Sequence, residues 1–210
     1  MFQEERYACF KKMFQPCRQA VKTALKKIID KQIFMICPGH GPVLEEYVKE
    51  TIGHYQAWAT ELRLENYVAV FYASAYGYTE AMARRLAGGV RSEGIPVKLY
   101  DVTKREPASM ERPLNEASGI MLGSPTIHGD AAKSIWDLIS CAKPIKLNSK
   151  PALAFGSYGW SGEACKNLSQ RLRMLRYNVL GEGISSVLKP TTEDKRRITE
   201  ISKEFVALLR

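Results

Sequence analysis

The stretch YVAVFYASAYGYTEAMARRLAGGVRSEG, residues 67–94, predicts a buried strand, a tight loop and a helix in direct succession. Its first part, YVAVFYAS, is a continuous apolar run with β-branched and aromatic residues, which is typical of a strand covered on both faces. The loop SAYGYT follows, and the helix that begins there ends at Gly94. A strand that leads through a short loop into a helix is the repeating unit of a parallel sheet.

The same alternation of strands and helices continues to the end of the chain. Further strands are predicted over residues 95–102, 118–126, 150–159 and 179–188, and further helices over residues 131–142, 162–178 and 191–209, the last with Thr191 or Thr192 as its N-cap. Five strands without a sixth favour the smaller doubly wound plan, with strand order 2-1-3-4-5, over the six-stranded dinucleotide-binding plan. The sequence therefore predicts an α/β protein with a five-stranded parallel sheet covered on both faces.

Residues 1–66 follow a different pattern. They predict an amphipathic helix over residues 10–30 that is interrupted near Pro16, a short strand over residues 32–37, and a second helix over residues 42–63. Two helices and one strand are too few to bury an independent core. We expect residues 1–66 to be a piece of a larger domain, with a boundary between that piece and the sheet domain of residues 67–210.

Composition excludes several classes of protein. The hydrophobic fraction of 45% is that of a folded globular protein. No apolar run approaches the roughly 18 residues of a membrane span, and the start of the chain lacks a signal-peptide pattern, so we expect no membrane partner and a cytoplasmic protein. Five cysteines, an odd number with no CxxC pair, argue against a disulfide framework and against a zinc ribbon.

The net charge of +9 is unevenly distributed along the chain. Residues 1–66 hold 10 basic and 8 acidic residues, so most of the excess lies in residues 67–210. The basic residues are scattered and are not interleaved with aromatic residues as in a nucleic-acid-binding stripe, so we expect no nucleic-acid partner. They are typical of solvated faces that could steer an acidic protein partner.

Three loops of this sheet should meet at one edge, beyond the carboxyl ends of the strands. The first, SAYGYT (residues 74–79), offers hydroxyl groups, a glycine and the N–H groups of a helix N-terminus, which together suit a monophosphate. It has no lysine and no GxGxxG pattern, which excludes the triphosphate and dinucleotide loops. An ordinary capped helix remains an alternative. The candidate phosphate-binding residues are Ser74, Ala75, Tyr76, Gly77, Tyr78 and Thr79.

The second and third loops carry residues that suit a flat heterocycle. In GSPTIHGD (residues 123–130) a proline stiffens a turn that offers backbone groups and one apolar side chain, and in GSYGWSGE (residues 156–163) a tyrosine and a tryptophan stand among glycines. The candidate ring-binding residues are Ser124, Pro125, Thr126, Ile127, Ser157, Tyr158, Gly159, Trp160 and Gly162. One phosphate loop and two ring loops on one sheet edge describe a site for flavin mononucleotide (FMN).

Residues 67–210 resemble flavodoxin. SAYGYT stands where flavodoxins have Thr/Ser-x-Thr-Gly-x-Thr, with Tyr76 in place of the middle threonine. The preceding segment ICPGHGPVL (residues 36–44) resembles the last metal-ligand motif of flavodiiron proteins, also called A-type flavoproteins. These join a metallo-β-lactamase-like domain with two irons to a C-terminal flavodoxin domain. The resemblance implies that residues 1–66 are the end of the first domain with its linker, and that residues 67–210 are the FMN-binding domain.

The family reduces dioxygen to water or nitric oxide to nitrous oxide, with electrons passing from a donor, often rubredoxin, through FMN to iron. The family's His-x-Glu-x-Asp run of iron ligands does not occur in this sequence. His40 alone matches a ligand position and is predicted to be vestigial, since His54 lies on a helix and His128 in the second loop. The resemblance thus implies an FMN-binding electron-transfer protein that cannot complete a di-iron site alone, with iron present only in the family's full-length form.

Two alternatives remain open at this stage. The chain could be a flavodoxin-like interaction module that lacks FMN, which Tyr76 in the phosphate loop leaves possible, or a flavin-dependent quinone or nitro reductase. The amphipathic helices of residues 1–66 should expose apolar faces. We expect them to pack on a neighbouring chain, to swap, or to pack back on the flavodoxin-like domain, and the first two outcomes predict a homo-oligomer. The basic surface of residues 67–210 suits an acidic redox partner such as rubredoxin.

Overall fold

A computed structural model of the protein describes residues 2–14, 17–39, 41–60, 65–142 and 150–209. His40 and Pro16 lie outside the described residues. The chain divides into two compact units, Met1–Arg63 and Leu64–Arg210.

The first unit is helical. It contains α1 (Phe2–Cys9), a π-helical segment (Phe10–Phe14), α2 (Arg18–Lys26) and α3 (Val48–Thr60). Its small core is aromatic: Phe10 is fully buried, with its ring centroid 5.5 Å from those of both Tyr55 and Trp58. Because these aromatic side chains come from α3 and from the segment that follows α1, they hold the two parts of the unit together.

Two predicted elements of this unit are wrong. The strand over residues 32–37 does not form, since only an isolated antiparallel bridge pairs Ile36 with Leu44. The helix predicted from Pro42 begins at Val48. The later start of the helix has a local cause, because Leu44 pairs with Ile36 in the bridge and Tyr47 takes a left-handed conformation (φ 57°), so the backbone is not helical before α3.

The second unit is built on a parallel sheet. Its strands are β1 (Glu65–Tyr72), β2 (Val97–Asp101), β3 (Ala117–Gly123), β4 (Thr126–Ile127), β5 (Asp130–Ala131), β6 (Pro151–Tyr158), β7 (Asn178–Val179) and β8 (Ile184–Val187). Its helices are α4 (Tyr78–Ser92), α5 (Pro107–Glu116), α6 (Lys133–Ser140), α7 (Glu163–Met174) and α8 (Thr192–Ala207). The main sheet has the order β2-β1-β3-β6, and β7 and β8 both pair with β6 in parallel. The predicted order 2-1-3-4-5 is confirmed.

The sheet is covered on both faces, as the continuous apolar strands predict. Alternate residues of β1 point to opposite faces: Val68 and Val70 pack in the cluster that contains residues of α4 and α8, whereas Ala69 and Phe71 pack with residues of α5, α6 and α7. At the start of α8, Thr191 forms a capping box with Asp194. Of the two N-caps that the sequence left open, the structure selects Thr191.

Three features of the sheet unit differ from the prediction. The fifth strand is divided into β7 and β8, because Gly181 and Gly183 take left-handed conformations between them. Helix α5, which contains Pro113, was not predicted. The strands β4 and β5 form a hairpin, Ile127 pairing with Asp130 around His128 (φ 51°) and Gly129 (φ 73°), as a type I′ turn requires.

We predict that Gly89→Ala destabilises the protein whereas its neighbour Gly88→Ala does not. A Cβ atom at Gly89 would lie 1.9 Å from the Ser202 hydroxyl oxygen, but one at Gly88 meets nothing within 4 Å. Gly89→Ala should therefore lower the free energy of unfolding by roughly 1–3 kcal/mol, and Gly88→Ala should raise it by up to about 1 kcal/mol. Urea denaturation measures both. Equal stability of the two variants would show that α4 and α8 do not need this close approach.

We also predict that the free energy of unfolding rises with pH above neutrality because of Lys150. This side chain is buried, and its ammonium group donates a hydrogen bond to the Leu114 carbonyl at 2.7 Å. Burial lowers the pKa of Lys150 to about 7, while the unfolded chain keeps a lysine pKa near 10.4. Between about pH 7 and pH 10 the unfolded state binds more protons at this lysine, so the contribution of Lys150 to stability should increase over this range by roughly 2–4 kcal/mol. Above about pH 8.5 the buried Cys165 thiol opposes this increase, because burial raises its pKa to about 12, so the net rise should be clearest between about pH 7 and pH 8.5. Lys150→Met should flatten that increase in urea denaturation at several pH values, and parallel profiles would contradict the account.

Candidate functional site

The three loops predicted to form a site do begin at one edge of the sheet. They follow β1, β3 and β6, which are parallel neighbours. Hydrogen bonds continue past the strand ends, from Ala73 N–H to the Gly123 carbonyl at 2.9 Å and from Ser124 N–H to the Phe155 carbonyl at 3.0 Å. Since neighbouring strands lie about 5 Å apart, the first and third loops start roughly 10 Å from each other.

The first loop, residues 74–79, wraps the N-terminus of α4. The Ser74 hydroxyl oxygen accepts the Glu80 N–H at 3.2 Å, and Gly77 (φ 80°) turns the chain into the helix. The Ala81 N–H donates to the Gly77 carbonyl at 2.9 Å. The N–H groups of Tyr78 and Thr79 come before this first helical hydrogen bond, so together with the helix dipole they suit an anion, as the sequence predicts.

Thr79 is placed differently from what its predicted role suggests. It is almost fully buried, and its hydroxyl lies 2.9 Å from the hydroxyl of Ser157, which is also buried. The sequence predicts that the Thr79 hydroxyl binds a phosphate. In the structure this hydroxyl joins the first loop to the third, and phosphate binding by the side chain stays a prediction.

The second loop, residues 123–130, is closed by Ser124. Its buried hydroxyl accepts the Ala132 N–H at 2.8 Å and donates to the Pro125 carbonyl at 2.8 Å. The Thr126 hydroxyl accepts the Ala164 N–H at 3.4 Å, which links this loop to α7. Ser124 therefore shapes the loop from within.

The third loop, residues 156–163, depends on close backbone approach. A Cβ atom at Gly156 would lie 2.0 Å from the Ser124 carbonyl oxygen, so only glycine lets β6 come this near to the second loop. Gly162 (φ 82°) lies against the Tyr158 ring, where a Cβ atom would stand 2.9 Å from two ring carbons. The Tyr158 carbonyl accepts the Leu188 N–H at 2.8 Å, which ties the start of this loop to the end of β8.

One large apolar side chain is exposed on each loop. The exposed fractions are 85% for Tyr76, 44% for Ile127 and 100% for Trp160. Leu188, which sequence reasoning missed, is 54% exposed and lies next to Gly159, whose added Cβ atom would be 3.7 Å from it. Its only sequence signal is an apolar residue at the end of the last strand. The loops at this edge of the sheet thus combine exposed apolar side chains with the N-terminus of a helix, a combination that suits a phosphorylated planar ligand.

Two titratable groups close to the loops, Glu163 and Cys165, are in surroundings that shift their pKa values away from neutrality. The Ser161 hydroxyl donates to the Glu163 carboxylate at 2.6 Å and keeps the pKa of Glu163 below its usual range. Burial raises the pKa of the Cys165 thiol to about 12, and the thiol contacts the Ile184 carbonyl at 3.5 Å. A thiol with this pKa is not a nucleophile at neutral pH.

The predicted metal residue His40 lies outside the described residues. His54 stacks on Trp58 in α3, with ring centroids 5.6 Å apart, and His128 occupies the turn between β4 and β5. Within the described ranges, no three His, Cys, Asp or Glu residues come together in a way that could hold a metal ion. None of the described helices is long and apolar enough to cross a membrane.

Comparisons with known proteins agree with this geometry. The sequence profile of the flavodoxin family matches residues 70–199. Flavo-diiron protein FprA2 of Clostridium acetobutylicum is 30% identical over 198 residues, covering 92% of this chain and 50% of the relative. Type A flavoprotein fprA of Rhodobacter capsulatus is 34% identical over 191 residues, covering 88% of this chain and 44% of the relative. The chain thus spans about half the length of the curated relatives it matches.

Solved structures show the same pattern. The rubredoxin oxygen:oxidoreductase of Desulfovibrio gigas has a TM-score of 0.73 and 26% identity, covering 93% of this chain and 49% of the solved one. A flavodoxin from the domain Archaea has a TM-score of 0.59 and 26% identity, covering 68% of this chain and 97% of the solved one. The flavodoxin thus matches over nearly its whole length, whereas the oxidoreductase matches over about half of its own.

We predict that the Thr79–Ser157 hydroxyl pair stabilises the site. Thr79→Val keeps the side-chain volume and leaves the Ser157 hydroxyl buried without its partner, which should cost about 1–3 kcal/mol in free energy of unfolding. Thr79→Ser keeps the hydroxyl and is the control. The double variant Thr79→Val/Ser157→Ala should lose less than the sum of the single losses, since it removes both polar groups. Strict additivity in urea denaturation would mean that the two hydroxyls are not coupled.

Proposed function

This chain belongs to the flavodoxin family, and from that membership we propose that residues 67–210 bind FMN and transfer electrons through it, as the flavin domain of a flavodiiron-type oxidoreductase. The observation that carries the proposal is that each of the three loops at this edge of the sheet, the first of which leads into the N-terminus of α4, exposes a large apolar side chain, Tyr76, Ile127 or Trp160. Apolar surface gathered at one edge is costly in water unless a ligand or a partner covers it. FMN has both an anionic phosphate and an apolar tricyclic ring.

The residues present fit this cofactor. The backbone N–H groups of residues 75–79 and the Ser74 hydroxyl would hold the phosphate, helped by the dipole of α4. The backbone groups of Thr126, Ile127, Tyr158 and Gly159 would bind the polar edge of the ring, and Trp160 would cover a ring face. When bound, FMN supplies the electron-transfer chemistry, accepting and releasing one or two electrons. The protein's part is to orient the ring, to exclude water from it and to place hydrogen-bond donors at its edge.

The activity of the whole enzyme is a further step of this proposal. The name of the Desulfovibrio gigas protein states rubredoxin and oxygen as its reactants. We place the reduction of dioxygen or nitric oxide at a di-iron site that the residues of this chain do not complete, because the sequence has no His-x-Glu-x-Asp run. In this proposal the protein is cytoplasmic, and iron belongs only to the family's full-length form.

Two partners complete the proposal. An acidic redox protein such as rubredoxin suits the basic excess of residues 67–210, and a rate of electron transfer that falls as salt is added would support it. A second copy of the chain suits the first unit, in which Phe34, Met35, Val43 and Tyr47 are exposed. A sedimentation coefficient that stays at the value of the monomer at all protein concentrations would contradict self-association of the chain.

An interaction module without FMN is the second candidate. Tyr76 replaces a hydroxyl that flavodoxins place in the phosphate loop, and the Thr79 hydroxyl is already engaged with Ser157. If this candidate is correct, the exposed apolar residues of the loops bind a protein, and the purified chain is colourless with or without added FMN.

We predict that the protein acquires the visible absorption bands of bound flavin when FMN is added, and that Trp160→Ala weakens FMN binding by roughly tenfold, since a ring contact contributes about 0.5–1.5 kcal/mol beyond its buried area. Met174→Ala is the matched control, because Met174 is 74% exposed but lies on α7 at its C-terminal end. It should change the dissociation constant by less than about twofold. Equal effects of the two variants, measured by quenching of flavin fluorescence, would exclude Trp160 from the ring site.

A further inference from the structure

A groove outside the three loops runs between α4 and α8, which lie on the same face of the sheet. The two helices touch where Gly89 faces Ser202. Beside this contact they leave an open space of about 740 Å³, whose lining includes Ala81 and Ser92 of α4 and Thr199 of α8. The distance from Ala81 to Ser92 along α4 is about 16 Å at 1.5 Å per residue. The groove is therefore elongated, and α4 lines it along its length.

The groove is lined by cations. Arg84, Arg85, Lys189 and Lys195 contribute to it, and no acidic residue is among the described residues that line it. Arg84 is paired with Glu80 at 2.6 Å, and the Arg85 Nε–H donates to the Lys195 carbonyl at 2.7 Å, which fixes both guanidinium groups along α4. Lys189 and Lys195 are exposed, and no ion pair is recorded for either in the described part of the chain. Their charges are available to a ligand.

The shape and the charge of the groove together indicate which kind of ligand it binds. An extended peptide rises about 3.3 Å per residue, so the groove length holds about five residues. Gly88 forms part of the lining and presents no side chain, and nothing lies within 4 Å of the position a Cβ atom would take there, which lets a peptide backbone approach α4. A second copy of this chain is disfavoured because it carries the same net charge of +9. We propose that the α4–α8 groove docks an extended acidic segment of a partner protein.

The position of the groove connects it to the loop edge of the sheet. Lys189 directly follows Leu188, whose N–H donates to the Tyr158 carbonyl of the third loop at 2.8 Å. A segment held by Lys189 thus reaches the same edge as Tyr158 and Gly159. If the proposed function holds, a partner docked in this way lies beside the flavin and can deliver electrons to it. The docking itself does not depend on FMN.

The test uses a fluorescein-labelled hexapeptide of alternating Glu and Ala, with an alternating Lys and Ala hexapeptide as its control. Fluorescence anisotropy should show that the full chain binds the acidic peptide and not the basic one, with an affinity that falls as ionic strength rises. The double charge reversal Lys189→Glu/Lys195→Glu should weaken binding at least about tenfold. The matched control is Lys166→Glu/Lys203→Glu, which makes the same change in net charge at exposed lysines outside the groove and should lose less than about threefold.

Three results would overturn the docking proposal. They are no binding of the acidic peptide by the wild-type chain, equal losses in the two double variants, or displacement of the peptide by inorganic phosphate at constant ionic strength, which would make the groove a small-anion site. FMN binding is measured on each variant, and thermal melts confirm folding. If the chain binds the peptide but not FMN, the proposed function is contradicted and the docking proposal stands. If the chain binds FMN but the groove substitutions do not specifically weaken peptide binding, the docking proposal is contradicted and the proposed function stands.

Discussion

The parallel register of β1, β3 and β6 is the constraint on which the rest of the site depends. Because these neighbours run in the same direction, the loops that follow them share one edge of the sheet. Two glycines permit the close approach: a Cβ atom at Gly123 would stand 2.2 Å from the Phe155 ring, and one at Gly156 would stand 2.0 Å from the Ser124 carbonyl oxygen. A side chain at either position would force the second and third loops apart.

The polar and apolar groups of the loops have separate tasks. The hydroxyl groups of Ser124, Thr79 and Ser157 bond to partners within the protein and fix the loop conformations. The large apolar side chains point outward, most completely that of Trp160. Loop backbones that internal hydrogen bonds already hold in place reduce the entropy lost on binding, since mainly the exposed side chains need to be ordered. This division explains how a site can be preformed and still leave apolar surface in water.

More of the fold than of the candidate site could be predicted from the sequence. The alternation of continuous apolar strands with amphipathic helices favours a parallel sheet, and the count of five strands favours the order that the structure shows. Helix α5 was missed because Pro113 lies inside it, where proline usually breaks a helix. The loops and their residue types were also predictable, but the partners of their hydroxyl groups were not. Thr79 and Ser157 are 78 positions apart, and no local pattern indicates that they meet.

A comparison of FMN with riboflavin separates phosphate binding from ring binding at the loop edge. The two ligands share the same ring system and differ in the phosphate. If the N-terminus of α4 holds the phosphate and the loops hold the ring, the fluorescence of both ligands should be quenched when they are titrated with the protein. FMN should bind at least about a hundredfold more tightly than riboflavin, because its phosphate accepts several charge-assisted hydrogen bonds from N–H groups. Equal affinities would contradict the phosphate role of the first loop, and no binding of either ligand would contradict the account as a whole.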